Sequence, residues 1–285
     1  MKVVRTFSTS ANVGPGFDCL GICFDLYNDY SFEVNDKYLL EGFEEKYCDP
    51  KINMIIQSYE KVFEKLNKEI IHIKLNQISQ NIPTARGLGS SASCIVSGIM
   101  IANDVLNNIL SKDEVFQIAS ELEGHPDNVA PLIYGGFTCS FKEEEYVKVE
   151  LNINPIFNFM VCIPPFELST ALARSVLPKE ISVQNAVFNM SHLVAMIKAL
   201  ENGDMDLLKQ GKQDLIHEPY RYKLIKDSDV VINYAKEHNA VCLISGAGST
   251  LLLISKDKIN KIEQLNNWRF EEVKVNNKGA YIYEK

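Results

Sequence analysis

No CxxC pair occurs in the 285 residues, and no cysteine and histidine stand at zinc-binding spacing, so a structural zinc clip is excluded. The seven cysteines (Cys19, Cys23, Cys48, Cys94, Cys139, Cys162, Cys242) are odd in number and scattered, which fits a reduced compartment better than a disulfide framework. Cys19 and Cys23 read as two small buried residues. An unbroken apolar run is missing too. The longest candidate, Val241 to Ile254, is interrupted by Ser245-Gly246-Ala247-Gly248-Ser249-Thr250, so no membrane span is expected. Met1-Lys2-Val3-Val4-Arg5 is charged, but no apolar signal-peptide core follows, and a cytoplasmic setting is expected. Positive charge is scarce: 29 Lys and Arg against 37 Asp and Glu leave a net charge of −8. That balance excludes the basic footprint of a nucleic-acid or anionic-membrane binder, while leaving room for a local anion site.

What is present is ordinary globular composition, 46% hydrophobic and 23% charged. At roughly 150 residues per domain the length suggests two domains or one large one. Asp49-Pro50 reads as the cap and first position of a helix whose face carries Ile52, Ile55, Tyr59, Val62, Phe63 and Leu66. Ile71, Ile73 and Leu75 alternate with polar residues as in a half-buried strand. Residues 90–110 are apolar nearly all round, which predicts a central buried helix. Ser111 and Glu114 form a capping box for a helix that stops at Gly124. Further strands are expected at 136–141, 146–151, 159–163, 241–245, 250–255, 268–275 and 280–283, and helices at 182–201 and 229–238. In the first of these two helices the spacing of Val183, Val187, Met190, Val194 and Ile197 marks the apolar face. Strands and helices interleave without repeats, which gives an α+β fold with a boundary near 152–158, hence domains of 1–153 and 154–285.

The strongest local signal is Pro83-Thr84-Ala85-Arg86-Gly87-Leu88-Gly89-Ser90-Ser91-Ala92-Ser93, between the alternating strand and the buried helix. Glycines permit close backbone approach, and a helix start offers unpaired N–H groups and the positive end of its dipole. Phosphate is the usual occupant of such a site. The plainer reading is a tight turn with Ser90 as an N-cap. No G-x-x-x-x-G-K-[ST] string occurs, since Gly211-Lys212 is followed by Gln213. There is no H-R-D of a protein kinase. Gly87, Gly89 and Ala92 satisfy G-x-G-x-x-A, but the helix runs into another capping box instead of a second strand, so a dinucleotide fold fails on context.

The loop resembles the P-x3-G-L-G-S-S-A motif of the superfamily of galacto-, homoserine, mevalonate and phosphomevalonate kinases (GHMP kinases). Residues 9–18 (Thr9 to Asp18) look like the first motif of its homoserine-kinase branch, and Glu123-Gly124-His125-Pro126-Asp127-Asn128 like that branch's central signature. Residues 169–178, around Arg174, and 214–221, ending at Arg221, look like its segments for the substrate carboxylate. Residues 245–250 match the third, glycine-rich motif.

The resemblance implies a two-domain GHMP-kinase fold, with an N-terminal unit like domain 2 of ribosomal protein S5 and a ferredoxin-like C-terminal unit. It implies ATP and Mg²⁺ as cofactors and transfer of the γ-phosphoryl group to the side-chain hydroxyl of L-homoserine, within threonine biosynthesis. Pro83, Thr84, Ala85, Arg86, Gly87, Leu88, Gly89, Ser90, Ser91, Ala92 and Ser93 would bind the nucleotide, and Ser91 (or Ser90) with Glu123 the metal ion. Asn12, Asp18, His125, Asp127, Asn128, Arg174, Arg221 and Gly248 would contact the substrate, the arginines as bidentate carboxylate binders in type. Asp127, Asn128 and Asn12 are the expected catalytic residues. Sister kinases place a lysine where this chain has Asn12, and no Lys lies between Lys2 and Lys37. Asp127 is therefore expected to orient the hydroxyl while the proton leaves late. The alternatives are a sister kinase for mevalonate or a diphosphocytidyl sugar alcohol, and a catalytically silent nucleotide-binding relative. A homodimer is a candidate assembly.

Overall fold

The computed structural model describes all residues, 1–285. A seven-stranded sheet is built on the long hairpin of β1 (Lys2–Ala11) and β2 (Leu20–Val34). To it β3 (Leu39–Glu41), β4 (Ile73–Gln77), β5 (Phe137–Lys142) and β6 (Tyr146–Leu151) add from the same half of the chain. Four helices belong to this half: α1 (Met54–Lys65), α2 (Ser90–Val105), α3 (Lys112–Glu123) and α4 (Val129–Tyr134). Their apolar faces and the sheet form one core with Phe7, Tyr30, Ile55, Phe63, Val96, Phe116 and Leu132. α2 is buried along nine of its positions, as its all-round apolar sequence predicts, but it ends at Val105 instead of 110. The capping box at Ser111 and the left-handed stop at Gly124 frame α3 as expected.

Beyond the 152–157 loop a four-stranded antiparallel sheet runs in the order β10-β7-β9-β8, from β7 (Asn158–Ile163), β8 (Ala240–Ile244), β9 (Leu251–Ser255) and β10 (Arg269–Val273). In chain order within the unit this is 4-1-3-2, the ferredoxin-like arrangement. The helices α5 (Thr170–Ser175), α6 (Val183–Asn202), α7 (Met205–Gly211), α8 (Glu218–Arg221) and α9 (Ser228–Glu237) lie between β7 and β8. The two halves share a core: Leu20, Ile22 and Phe24 of the first sheet cluster with Phe159, Val161 and Leu243 of the second. No helix is long and apolar enough to cross a membrane.

Three expectations are corrected. The final strand, β11 (Tyr281–Glu284), pairs with β1, so the first sheet takes back the end of the chain and the second unit is not simply 154–285. α1 starts at Met54, because Asn53 caps it by accepting the N–H groups of Ile55 and Ile56, whereas Asp49-Pro50 sits in the preceding turn. α6 has the predicted span, but its stripe faces outward: Val183, Val187, Met190 and Val194 are 54–75% exposed while Asn189, Met196, Ala199 and Leu200 are buried.

Candidate active site

A cleft of about 410 Å³ lies between the two halves. One wall is the loop that ends in α2. Gly89 is the N-cap of that helix at φ +70° and provides no side-chain cap, so the first N–H groups of α2 face the cleft with Ser90 and Ser91 inside the helix. Ser90 is therefore not the cap. Gly87 and Gly89 could not carry a side chain here: a Cβ would stand 2.2 Å from the Ser245 carbonyl oxygen or 2.0 Å from Thr9 Oγ1.

Thr84, Ala85, Arg86, Gly87, Gly89, Ser90 and Ser91 line the cleft. Leu88, Ala92 and Ser93 do not, being buried, and Ser93 shares a 2.7 Å hydrogen bond with Thr6. Pro83 also stands outside the lining. The Arg86 side chain serves a different purpose from the expected one. It donates to the carbonyls of Thr84, Pro164 and Pro165 at 3.1–3.2 Å, clasping the loop to the second half of the chain.

Below the helix start, Ser91 Oγ donates to Glu123 Oε2 at 2.8 Å. Burial raises the Glu123 carboxyl above its ordinary range, against the Ser91 hydrogen bond. No group of three or more His, Cys, Asp or Glu side chains could form a protein-only metal cage. One hydroxyl and one carboxylate do fit a Mg²⁺ ion whose remaining ligands are phosphate oxygens and water.

Asn12, His125, Asp127, Asn128, Arg174 and Arg221 gather in the same cleft. The side chain of Asn12, at φ +57°, accepts the Asp18 N–H at 2.8 Å. Thr9 Oγ1 donates to Asn128 Oδ1 at 2.8 Å, and the Asn128 N–H to Asp127 Oδ1 at 3.0 Å. Asp127 is pushed up to about 7, by burial first and by the negative charge of Asp18 next. His125 is held below its ordinary value by burial and by Arg174.

Asp18 stands just outside the lining, yet it decides the state of Arg174, whose Nη1 and Nη2 donate to its two oxygens at 3.1 and 2.7 Å. Both guanidinium ends that the expected carboxylate contact needs are thus turned to Asp18. Arg221 is 1% exposed, and its Nε and Nη1 donate to the carbonyls of Ala173 and Gly246 at 3.3 and 3.2 Å. Burial lowers its guanidinium, and Arg174 adds to the effect. Gly248 is set back behind Gly246 and Ala247, packed toward Leu168 and Ile225, so its expected substrate contact is not found.

The sequence reading missed the far lobe of the cleft. Phe43, Tyr47, Ile52, Met54 and Ile82 give it an apolar lining, with the amides of Asn53, Gln77 and Gln80 at its edge. These residues come from the segment that leads into α1, the end of β4 and the loop that follows it, and carry no common spacing. The lobe suits a flat heterocycle with polar edges.

Residues 53–136 match the family described as GHMP kinases N terminal domain, and residues 196–273 the one described as GHMP kinases C terminal. The homoserine kinase of Clostridium beijerinckii is 38% identical over 100% of this chain and 99% of its own length. That of Clostridium acetobutylicum is 39% identical over 98% of this chain and 99% of its own. Among solved structures, the homoserine kinase from Cytophaga hutchinsonii superimposes with a TM-score of 0.86 at 27% identity, covering 99% of this chain and 97% of that one. Streptococcus pneumoniae phosphomevalonate kinase, solved with phosphomevalonate and AMPPNP, matches at 0.74 and 14% identity over 95% of this chain and all of its own, a likeness of fold alone. With the helix start free of a side-chain cap, the Ser91–Glu123 pair beneath it and these end-to-end matches together, the chain belongs to the GHMP kinases.

Proposed function

We infer that this chain moves the γ-phosphoryl group of ATP to the side-chain hydroxyl of L-homoserine, giving O-phospho-L-homoserine and ADP in threonine biosynthesis. The observation that carries this reading is a zwitterion-shaped receptor beside a phosphate site. Arg221 and Arg174 in the cleft, with Asp18 bonded to Arg174 just outside its lining, offer two cations and one anion in the site that also holds the open start of α2. An α-amino acid has the matching charges: its ammonium can take the Asp18 carboxylate and its carboxylate the guanidinium groups, so the ligand replaces the internal ion pair with two new ones.

In this reading the N–H groups at the start of α2 hold the phosphates and the apolar lobe holds the base. Ser91 and Glu123 would hold Mg²⁺, which would supply charge neutralisation on the transferred group. Asp127 and Asn128 orient the acceptor hydroxyl, and positioning does most of the catalytic work in so loose a transition state. A mevalonate or sugar-alcohol kinase would leave Asp18 without an ammonium partner. A silent relative would have lost Ser90, Ser91, Glu123 or Asp127, and all four remain. Self-association to a homodimer rests on the outward apolar stripe of α6.

The deciding experiment is a coupled ADP-release assay with homoserine, mevalonate, shikimate, threonine and serine as acceptors. Release with homoserine far above the others is expected. Preference for an acceptor lacking the α-amino acid end would overturn the reading.

A further inference from the structure

His217 has no role so far, although it is fully buried beside the substrate arginine. It stands immediately before α8, with its ring stacked on Phe17 at 5.2 Å between centroids. Phe17 also lies under the Arg221 guanidinium, 5.1 Å from its ring centre. The ring nitrogen Nε2 is 2.8 Å from the Gly14 carbonyl oxygen, which can only accept. Nε2 therefore carries the hydrogen, and Nδ1 presents a lone pair. Arg221 Nη1 donates to that lone pair at 3.4 Å.

Burial lowers the imidazole below its ordinary value against the pull of Asp214, so the neutral ring is the form that sits here. Asp214 is itself occupied, by the N–H groups of Ile216, His217 and Glu218 and by the Asn189 amide. With Nε and Nη1 of Arg221 bonded to protein acceptors, Nη2 is the guanidinium nitrogen without one, on a side chain that lines the cleft.

We propose that His217 is a positioning residue: held as the neutral Nε2–H tautomer by the Gly14 carbonyl, it presents Nδ1 to the Arg221 guanidinium and so aims Nη2 at the carboxylate of the acceptor. The inference rests on the reading of Arg221 as that carboxylate's contact. It differs from a packing role because the ring's two nitrogens do different things. Gly14 is held from one side, and Asn12 and Asp18 flank it; Arg221 is steered from the other. A guanidinium left without that acceptor would be misplaced and would weaken the grip on the acceptor's carboxylate alone.

The two bonds can be cut separately. A glutamine amide nitrogen reaches the place of Nε2, so His217→Gln keeps the donor to Gly14 and removes the acceptor for Arg221. An asparagine oxygen reaches the place of Nδ1, so His217→Asn keeps the acceptor and gives up the Gly14 bond. ADP release is measured with homoserine and with 3-aminopropan-1-ol, which has the amine and hydroxyl but no carboxylate. His217→Gln is expected to raise the homoserine KM about tenfold, the size of one lost hydrogen bond to a charged group. Its kcat, its KM for ATP and its KM for the amino alcohol should stay within about twofold. His217→Asn should stay near the parent for homoserine.

Arg221→Gln is the control for the underlying reading. If it leaves the homoserine KM unchanged, the carboxylate assignment itself is wrong, whatever His217 does. If it raises that KM, then adding His217→Gln on top should change nothing more, because the histidine acts through the arginine. Effects that multiply in the double variant overturn the proposal, as does an equal KM rise for homoserine and the amino alcohol. Should His217→Gln not fold, the asparagine variant carries the test: a homoserine KM near the parent's supports the aiming bond, and a tenfold rise overturns it.

Discussion

Replacing Asp127 by asparagine separates what its carboxylate does for the reaction from what it costs the fold. The residue is 2% exposed, and its Oδ1 accepts one backbone N–H, that of Asn128. Burial and the like charge of Asp18 raise the carboxyl from 3.8 to about 7. The folded chain therefore binds this proton more tightly than the unfolded one does. The group's contribution to stability is full below about pH 4, falls as the pH climbs, and has been lost above about pH 7. The slope is about 1.4 kcal/mol per pH unit, so over about three pH units the ionised carboxylate costs the fold about 4 kcal/mol. The substituted amide would still accept the Asn128 N–H, and it never ionises. Its new N–H donors cost about 1–3 kcal/mol if unpartnered, equally at every pH.

The measurable quantity is thus a difference of differences. Unfolding free energies of parent and Asp127→Asn are compared in denaturant at pH 4.5, 6 and 8, and the variant should gain on the parent by several kcal/mol across that range. Parallel stability profiles would refute the buried, charge-crowded placement of Asp127. Turnover is read on the same proteins. If the carboxylate mainly orients the hydroxyl, kcat falls less than about tenfold, because an amide orients nearly as well. A loss of about 10²–10⁴-fold, with disappearance of an acidic limb near pH 7 in the pH–rate profile, would mean that it takes the proton.

Ser91→Ala should cut kcat about ten- to 150-fold at saturating Mg-ATP, the range for losing a hydrogen bond to a charged group. Its stability should stay within about 0.5 kcal/mol, since the side chain is on the surface of the cleft. Arg174→Leu should raise the homoserine KM about ten- to 150-fold with the KM for ATP nearly unchanged. Arg221→Leu should do the same and also lower stability by about 1–3 kcal/mol, because it strands the carbonyls of Ala173 and Gly246; loss of ATP affinity in both would contradict the carboxylate reading. Gly89→Ala should raise the KM for ATP and cost about 1–3 kcal/mol in denaturant unfolding, since its φ of +70° and the Thr9 hydroxyl 2.0 Å from the new Cβ both resist a side chain.

Features written in short-range chemistry were legible in the sequence. The Ser111 capping box, the Gly124 stop and the β6 span follow from neighbours within a few residues, and they stand where the sequence puts them. Competition between two local signals was not legible. Asp49-Pro50 advertises a helix start, yet Asn53 takes the cap because its oxygen accepts two N–H groups of α1. Periodicity identified α6 but not which way its stripe points, since 3.6-residue spacing is the same for a face toward the core and a face toward a partner. The apolar lobe was invisible because Phe43, Met54 and Ile82 meet only through tertiary packing. Similarly, nothing local says that the Arg86 guanidinium is bonded to the backbone carbonyls of Pro164 and Pro165 in the second half of the chain.

The third glycine motif shows why a motif residue can matter without touching a ligand. Ser245 Oγ donates to the Gly87 carbonyl at 2.7 Å, and the Thr250 N–H donates to the Arg86 carbonyl at 3.1 Å. A Cβ on Gly246 would stand 2.9 Å from the Gly87 oxygen. Residues 245–250 are therefore the bed on which the 83–89 loop lies, and Gly246 lets the two backbones approach each other. With Arg86 clasping the same loop to Pro164 and Pro165, the open end of α2 is held against the half of the chain that supplies Arg174 and Arg221. No lysine lines the cleft. Its positive potential comes instead from a helix terminus and from guanidinium groups fixed by backbone carbonyls, Asp18 and a neutral histidine. In the proposed reading, that is how a chain of net charge −8 offers an anion a local site. The favourable field is local and preorganised, and it needs no excess of positive charge over the whole surface.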